Sequence, residues 1–153
     1  MGAGRPSGPD RPPGEVTPGR VVALDYGAGR CGVAVSDPTG TVATPLAAVE
    51  RPNTRRGCNR LLAAIRAQDP VRVVVGLPLS LSGEDSAQTV ETRAFAARLA
   101  GFLTVPVTLY DERFTTRMAQ QRAGSGAEDS RAAAVLLEGF LAQWSRSGPD
   151  RAM

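Results

Sequence analysis

Apolar and polar positions along this chain fall into short blocks whose period changes twice. Val21-Val22-Ala23-Leu24 is an apolar run without polar alternation, the pattern of a strand covered on both faces. Gly27-Ala28-Gly29-Arg30 is a tight reversal, and Cys31 to Asp37 reads as a second strand. Two strands so closely linked must be antiparallel neighbours. Pro38-Thr39-Gly40 turns the chain into a third strand over residues 41–50, where Pro45 requires an edge position or a bulge. The period then lengthens. Asn53 or Thr54 caps a helix to about Gln68 with Leu61, Leu62 and Ile65 inward, and Asp69-Pro70 ends it. Val71 to Gly76 is another apolar strand. A Ser/Gly-rich loop leads to a helix from about Asp85 to Ala100, closed by Gly101, with Val90, Ala94 and Ala97 on one line and Phe95, Leu99 and Phe102 beside it. Val105 to Tyr110 is the last strand. A short helix from Thr115 to about Ala123, a loop over 124–128 and a final helix from Asp129 to Ser145 complete the pattern.

The order is βββαβαβαα. Strand–helix–strand units impose parallel, right-handed crossovers, whereas the opening meander is antiparallel. The expected architecture is an α/β, ribonuclease H-like mixed five-stranded sheet with helices on both faces. Residues 20–145 form that domain. Residues 1–19 hold five Pro and five Gly with few apolar groups, the composition of a disordered tail, and residues 146–153 read as a flexible end.

Composition removes several kinds of chemistry. The chain has no His, which excludes a His-containing catalytic triad and a His-ligated metal. Cys31 and Cys58 lack metal-ligand spacing and read as small apolar fillers, free thiols suited to a reducing cytoplasm. No apolar run reaches membrane-spanning length. The net charge of +3 comes with arginine alone, in an Ala/Gly/Pro-rich background, so any basic surface must be local.

Carboxylates are the more informative groups. Asp25 lies near the middle of the first strand, where an ionised side chain requires a cation, a donor set or a metal. Glu112, with Asp111 beside it, follows the carboxyl end of a parallel strand, a common ligand position in α/β sheets. Asp129 opens the final helix, and Ala132, Ala133, Leu136 and Phe140 follow on its inward stripe. Alone, Asp129 suits a helix cap as well as a ligand, and Asp111-Glu112 a solvated strand end. Together, three carboxylates without His or Cys suit a hard cation such as Mg²⁺ or Mn²⁺.

These residues resemble a known family. Leu24-Asp25-Tyr26-Gly27 with Arg30 to Asp37, then Val74 to Leu79, Asp111 to Thr116 and Asp129 to Ala134, are similar in order to the motifs of the YqgF/RuvX family. Its members are bacterial Holliday-junction-resolvase-like proteins, also described as pre-16S rRNA nucleases. The resemblance implies a metal-dependent endonuclease acting on structured nucleic acid, with 5′-end maturation of pre-16S rRNA as the leading role in ribosome biogenesis. Asp25, Glu112 and Asp129 fall on the family's acidic positions as catalytic metal ligands, with Asp111 as a further donor. Ala28 stands where the family usually has a hydroxyl residue. The loop before Asp129 lacks the usual lysine, a role left to Arg122 or Arg131.

Gly27 and Gly29 leave room for a phosphate or simply make the tight turn, the Gly76-Leu77-Pro78-Leu79-Ser80 loop lines the cleft or merely stops its strand, and Arg30, Arg113 and Arg117 are placed to hold a phosphate. A second cluster, Arg51, Arg55, Arg56 and Arg60, surrounds the start of the first helix and reads as a solvated face. Three alternatives accompany this reading. One is a Holliday-junction resolvase acting on branched DNA. Another is a non-catalytic RNA- or transcription-associated factor, as in antitermination, that keeps the fold. Actin-like ATPases share the opening Asp-x-Gly hairpin but need a second domain that 153 residues cannot supply. The expected setting is the cytoplasm, with a nucleic-acid partner, no membrane, and a monomer or homodimer.

Overall fold

The computed structural model describes residues 19–79, 82, 85–112 and 128–147. Its strands are β1 (Val21–Asp25), β2 (Arg30–Ser36), β3 (Ala43–Glu50), β4 (Arg72–Leu77) and β5 (Val107–Asp111). Its helices are α1 (Arg55–Gln68), α2 (Ala87–Phe102) and α3 (Glu128–Ser147). The strands form one sheet in the order β3-β2-β1-β4-β5. The meander β1–β3 is antiparallel, and β4 and β5 add in parallel beside β1. This is the expected mixed five-stranded α/β sheet. The short helix expected over Thr115–Ala123, the tail before residue 19 and the end after residue 147 lie outside the described residues.

Helices cover both faces because the central strands are apolar on both. Val22, Leu24, Val33, Val73 and Val75 pack with Leu61, Leu62 and Ile65 of α1 and Phe95, Ala96 and Leu99 of α2. Val21, Ala23, Ala34, Val74 and Tyr110 pack with Ala133, Leu136, Leu137 and Phe140 of α3. Arg72 covers the Trp144 ring from 4.9 Å on that second face. Pro45 lies on edge strand β3, which also carries a bulge, the register slipping between Cys31 and Val33. The two devices that a proline requires are both present.

Several local expectations are corrected. Asp25 ends β1 and is half-buried rather than lying mid-strand, because the chain turns at Tyr26-Gly27. Helix α2 begins after Ser86, whose hydroxyl accepts from the Thr89 N–H, and it runs through Gly101 to Phe102. Its inner face is Thr89, Thr92, Phe95, Ala96 and Leu99, while Val90, Ala94, Ala97 and Phe102 face outward. Buried threonines are tolerated because each hydroxyl finds a carbonyl: Thr89 donates to Pro78 and Thr92 to Gln88. Strand β5 starts two residues later than its apolar run suggests. Of the two residues expected to cap α1, Thr54 does so, accepting from the Gly57 N–H at 3.0 Å.

Candidate active site

The carboxyl ends of β1, β4 and β5 lie side by side, and side-chain alternation decides which residues there share a face. Val21 and Ala23 pack toward α3, so Asp25 belongs to that face. Its cross-strand partner on β2 is Gly32. On β4, Leu24 pairs with Val75, which brings Gly76 beside Asp25 on the other flank. Asp25 therefore stands between two glycines, with no side chain of either neighbouring strand beside it.

Glu112 reaches the same ground from the far side of β4. A Cβ built on Gly76 would lie 2.5 Å from Glu112 Oε2, 3.1 Å from Glu112 Cγ and 3.0 Å from Leu136 Cδ2 of α3. The Glu112 carboxylate thus lies across bare β4 backbone, between β5 and Asp25. With strands about 4.8 Å apart, the backbones of Asp25 and Glu112 lie roughly 10 Å apart, and Glu112 extends back across the glycine on the side of Asp25. Burial, and the Asp111 carboxylate beside it, hold the Glu112 carboxyl above the usual carboxylate range. Asp111 itself alternates onto the face of α1 and α2, so the structure does not bring it onto the Asp25–Glu112 face.

The third carboxylate belongs to α3. Asp129 lies in the first turn of this helix, and its carboxylate lies outside the described residues. The next residue anchors that turn: Ser130 is buried, and its Oγ accepts from the Val33 N–H beside the bulge at 3.4 Å. Helix α3 thereby begins against β2, next to the strand that ends in Asp25. Among the described residues no group of three or more His, Cys, Asp or Glu is assembled to hold a metal, a set that leaves the Asp129 carboxylate out. What is present fits a hard cation: oxygen donors only, one with its charge disfavoured until a cation compensates it, above a space that any Cβ would fill.

Among the expected substrate contacts, Gly27 holds the hairpin tip, where Arg30 N–H donates to its carbonyl at 3.2 Å and a Cβ would meet Arg30 O at 2.9 Å. Arg30 is exposed at the start of β2. Arg113, Arg117 and Arg122 lie outside the described residues, and Arg131 is exposed on α3. The sequence offers the stretch from Gly76 to Ser80 as a cleft lining, and the structure adds the glycine's particular part as the bare floor beneath Glu112. Reasoning from sequence missed a network on the opposite face. Tyr26 stacks on Phe95 at 4.3 Å and donates to Glu91 at 2.7 Å; Asn53 donates to Tyr26 and Arg98 to Asn53. That network fixes the residue after Asp25 to α2 and to the link before α1. Burial and the Glu91 carboxylate push the Tyr26 hydroxyl pKa up.

The sheet order, its two helical faces and the acids at the carboxyl ends of the parallel strands define a protein of the ribonuclease H-like class. Its fold matches Thermus thermophilus RuvC with a TM-score of 0.51 at 16% identity, covering 81% of this chain and 96% of that one. The same protein in complex with a Holliday junction substrate gives 0.53 at 17% identity, covering 81% and 95%. The family described as "RuvX: Holliday junction resolvase" matches residues 19–143. A protein of Alcanivorax borkumensis named "Putative pre-16S rRNA nuclease" is 41% identical over 126 residues, covering 80% of this chain and 95% of the relative. One of the same name from Koribacter versatilis is 40% identical over 143 residues, covering 87% and 91%. The chain belongs to the RuvX family. As a member it is a nuclease, and so a hydrolase. No helix among the described residues is long and apolar enough to cross a membrane.

Proposed function

We propose that this protein is a metal-dependent endonuclease that hydrolyses phosphodiester bonds of structured nucleic acid, acting in the cytoplasm on the 5′ end of pre-16S rRNA. The placement of Glu112 over Gly76, which lies beside Asp25 on the same sheet face, carries the reading. A carboxylate lying over bare backbone, pushed above its usual range by burial and by Asp111, is a poor arrangement for stability alone.

Asp25, Glu112 and Asp129 would hold Mg²⁺ or Mn²⁺. A bound divalent ion there supplies Lewis-acid polarisation of the phosphate and a lowered pKa for attacking water. The chain's own residues supply the rest. Gly76 leaves the Glu112 carboxylate room to lie across β4 beside Asp25, and Ser130 keeps the Asp129 turn against β2. Arg30 at the hairpin offers a planar donor pair to a phosphate outside the metal ligands. Arg113 and Arg117 follow Glu112 in the chain and are proposed for the same task.

The relatives' name favours RNA, while the family description favours branched DNA as the second reading. A labelled 16S precursor fragment and a four-way DNA junction, assayed side by side with Mg²⁺ or Mn²⁺, separate them. Asp25→Asn should abolish cleavage of whichever substrate is cut and leave the fold intact. Cleavage at the wild-type rate by this variant would remove the catalytic assignment.

A further inference from the structure

Three features that work against local stability meet in the link between β3 and α1. Arg51 adopts a φ of 50°, the left-handed region that side chains other than glycine seldom enter. Arg55 and Arg56 occupy the first turn of α1, which holds no acid, so two positive charges face the positive end of the helix dipole. Gly57, a poor helix former, stands in the same turn because a Cβ there would lie 1.8 Å from the Arg51 carbonyl oxygen. Ordinary residues with an ordinary turn would relieve all three.

What the features achieve is placement. The Arg51 N–H donates to Gly29 O at 3.0 Å, tying the link to the tip of the β1–β2 hairpin. Thr54 Oγ1 donates to Arg51 O at 2.8 Å while capping α1. Arg51, Arg55, Arg56 and Arg60 are all exposed, and none forms an ion pair among the described residues. The acid nearest in the chain, Glu50, is exposed and lies across the ladder from Arg30. Since β2 separates β3 from β1, the end of β3 lies roughly 10 Å to the side of the Asp25 strand, at the same end of the sheet, with α1 starting on the face opposite Asp25.

We propose that this corner is a second phosphate-binding surface, on which Arg51, Arg55 and Arg56 hold the nucleic-acid backbone as it leaves the cleavage site on the hairpin side. Exposed guanidinium groups without acidic partners complement a polyanion, and phosphate contacts set position without reading sequence. The inference rests on the nuclease reading and extends it to a substrate longer than the scissile nucleotides.

The test separates binding from stability. Fluorescence anisotropy, without divalent ion, measures binding of a labelled stem-loop RNA with a 5′ extension and of a labelled four-way DNA junction across a salt series. Arg51→Gly with Arg55→Glu should raise the melting temperature, because both changes relieve local cost. The same variant should weaken binding more than tenfold and lower the slope of log affinity against log salt by roughly 1.5. Arg55→Ala with Arg56→Ala carries the same binding forecast should the first variant fail to fold. Arg66→Ala, at the other end of α1, should leave the slope unchanged. Loss on both ligands assigns the surface to phosphodiester backbone in general, and loss on one assigns it to that nucleic acid. Wild-type affinity and slope in both variants, or equal weakening by Arg66→Ala, would overturn the surface alone. A wild-type protein that binds neither ligand would overturn the surface, and the cleavage assay with Mg²⁺ or Mn²⁺ then decides the metal-dependent reading on its own.

Discussion

Replacing Gly76 by alanine places a methyl carbon 2.5 Å from Glu112 Oε2 and 3.0 Å from Leu136 Cδ2. Leu136 is buried in the α3 core, so the carboxylate is the part that yields. Overpacking of this kind costs about 1–3 kcal/mol. Loss of glycine's unfolded-state entropy offsets about 0.5–1 kcal/mol of that. The net destabilisation is about 1–2 kcal/mol, a fall of a few degrees in melting temperature for a domain of this size. Function should suffer far more. A catalytic group displaced by about 1 Å loses about 100-fold in rate, so Gly76→Ala should cleave a labelled precursor fragment at about one hundredth of the wild-type rate. Gly101→Ala is the matched comparison. It lies within α2 with no heavy atom within 4 Å of the added carbon, and should gain about 0.5–1 kcal/mol with cleavage unchanged. A Gly76→Ala protein that cleaves within a few-fold of wild type would refute the placement of Glu112 over the glycine.

Three further outcomes are expected. Asp129→Asn should blunt the rise in melting temperature that Mg²⁺ or Mn²⁺ gives the wild type, while sparing the metal-free form; an undiminished rise would reduce Asp129 to a helix cap. The Asp37 carboxyl is held well below its usual value by the Thr39 hydroxyl and the Val42 and Thr41 N–H groups. A depressed carboxyl stabilises the fold above its unfolded pKa and loses that contribution as pH falls toward the folded value, so Asp37→Asn should flatten thermal stability below about pH 4. Tyr26→Phe keeps the ring stack on Phe95 but removes the hydroxyl shared by Glu91 and Asn53, and chemical denaturation should show a loss of about 1–2 kcal/mol.

Strand pairing was legible because each signal had one solution. The short Gly27–Arg30 link admits only antiparallel neighbours, and apolar runs at Val22–Leu24 and Val73–Val75 need cover on both faces. The inner face of α2 was not legible. Val90 and Phe102 lie on the outer surface, while Thr89 and Thr92 are inside, because hydroxyls bonded to carbonyls bury as readily as methyl groups. At the site, the sequence pointed to Asp25 as a carboxylate inside an apolar strand and to Glu112 by its place past a strand's carboxyl end. The reach of Glu112 across β4 was hidden, since it depends on Gly76 having no side chain. The arginines at the start of α1 looked like solvated surface from spacing alone. Their cost became visible only with the φ of Arg51 and the crowding at Gly57.

The sheet order also has a consequence in time. Helix α3, the last described element, lies on β1, β2 and β3, the first three. A ribosome releases the meander and α1 early, and these can form on short-range contacts, as chains with local contacts do fastest. Asp25 then stands exposed without Glu112, which requires β4 and β5 to add in turn, and without the turn that carries Asp129. Those pairings are long-range and slow. The proposed catalytic set is therefore complete only when the end of the domain folds back over its beginning. On the proposed site, a chain that stops before α3 lacks Asp129, one of its three acids, and should not cleave.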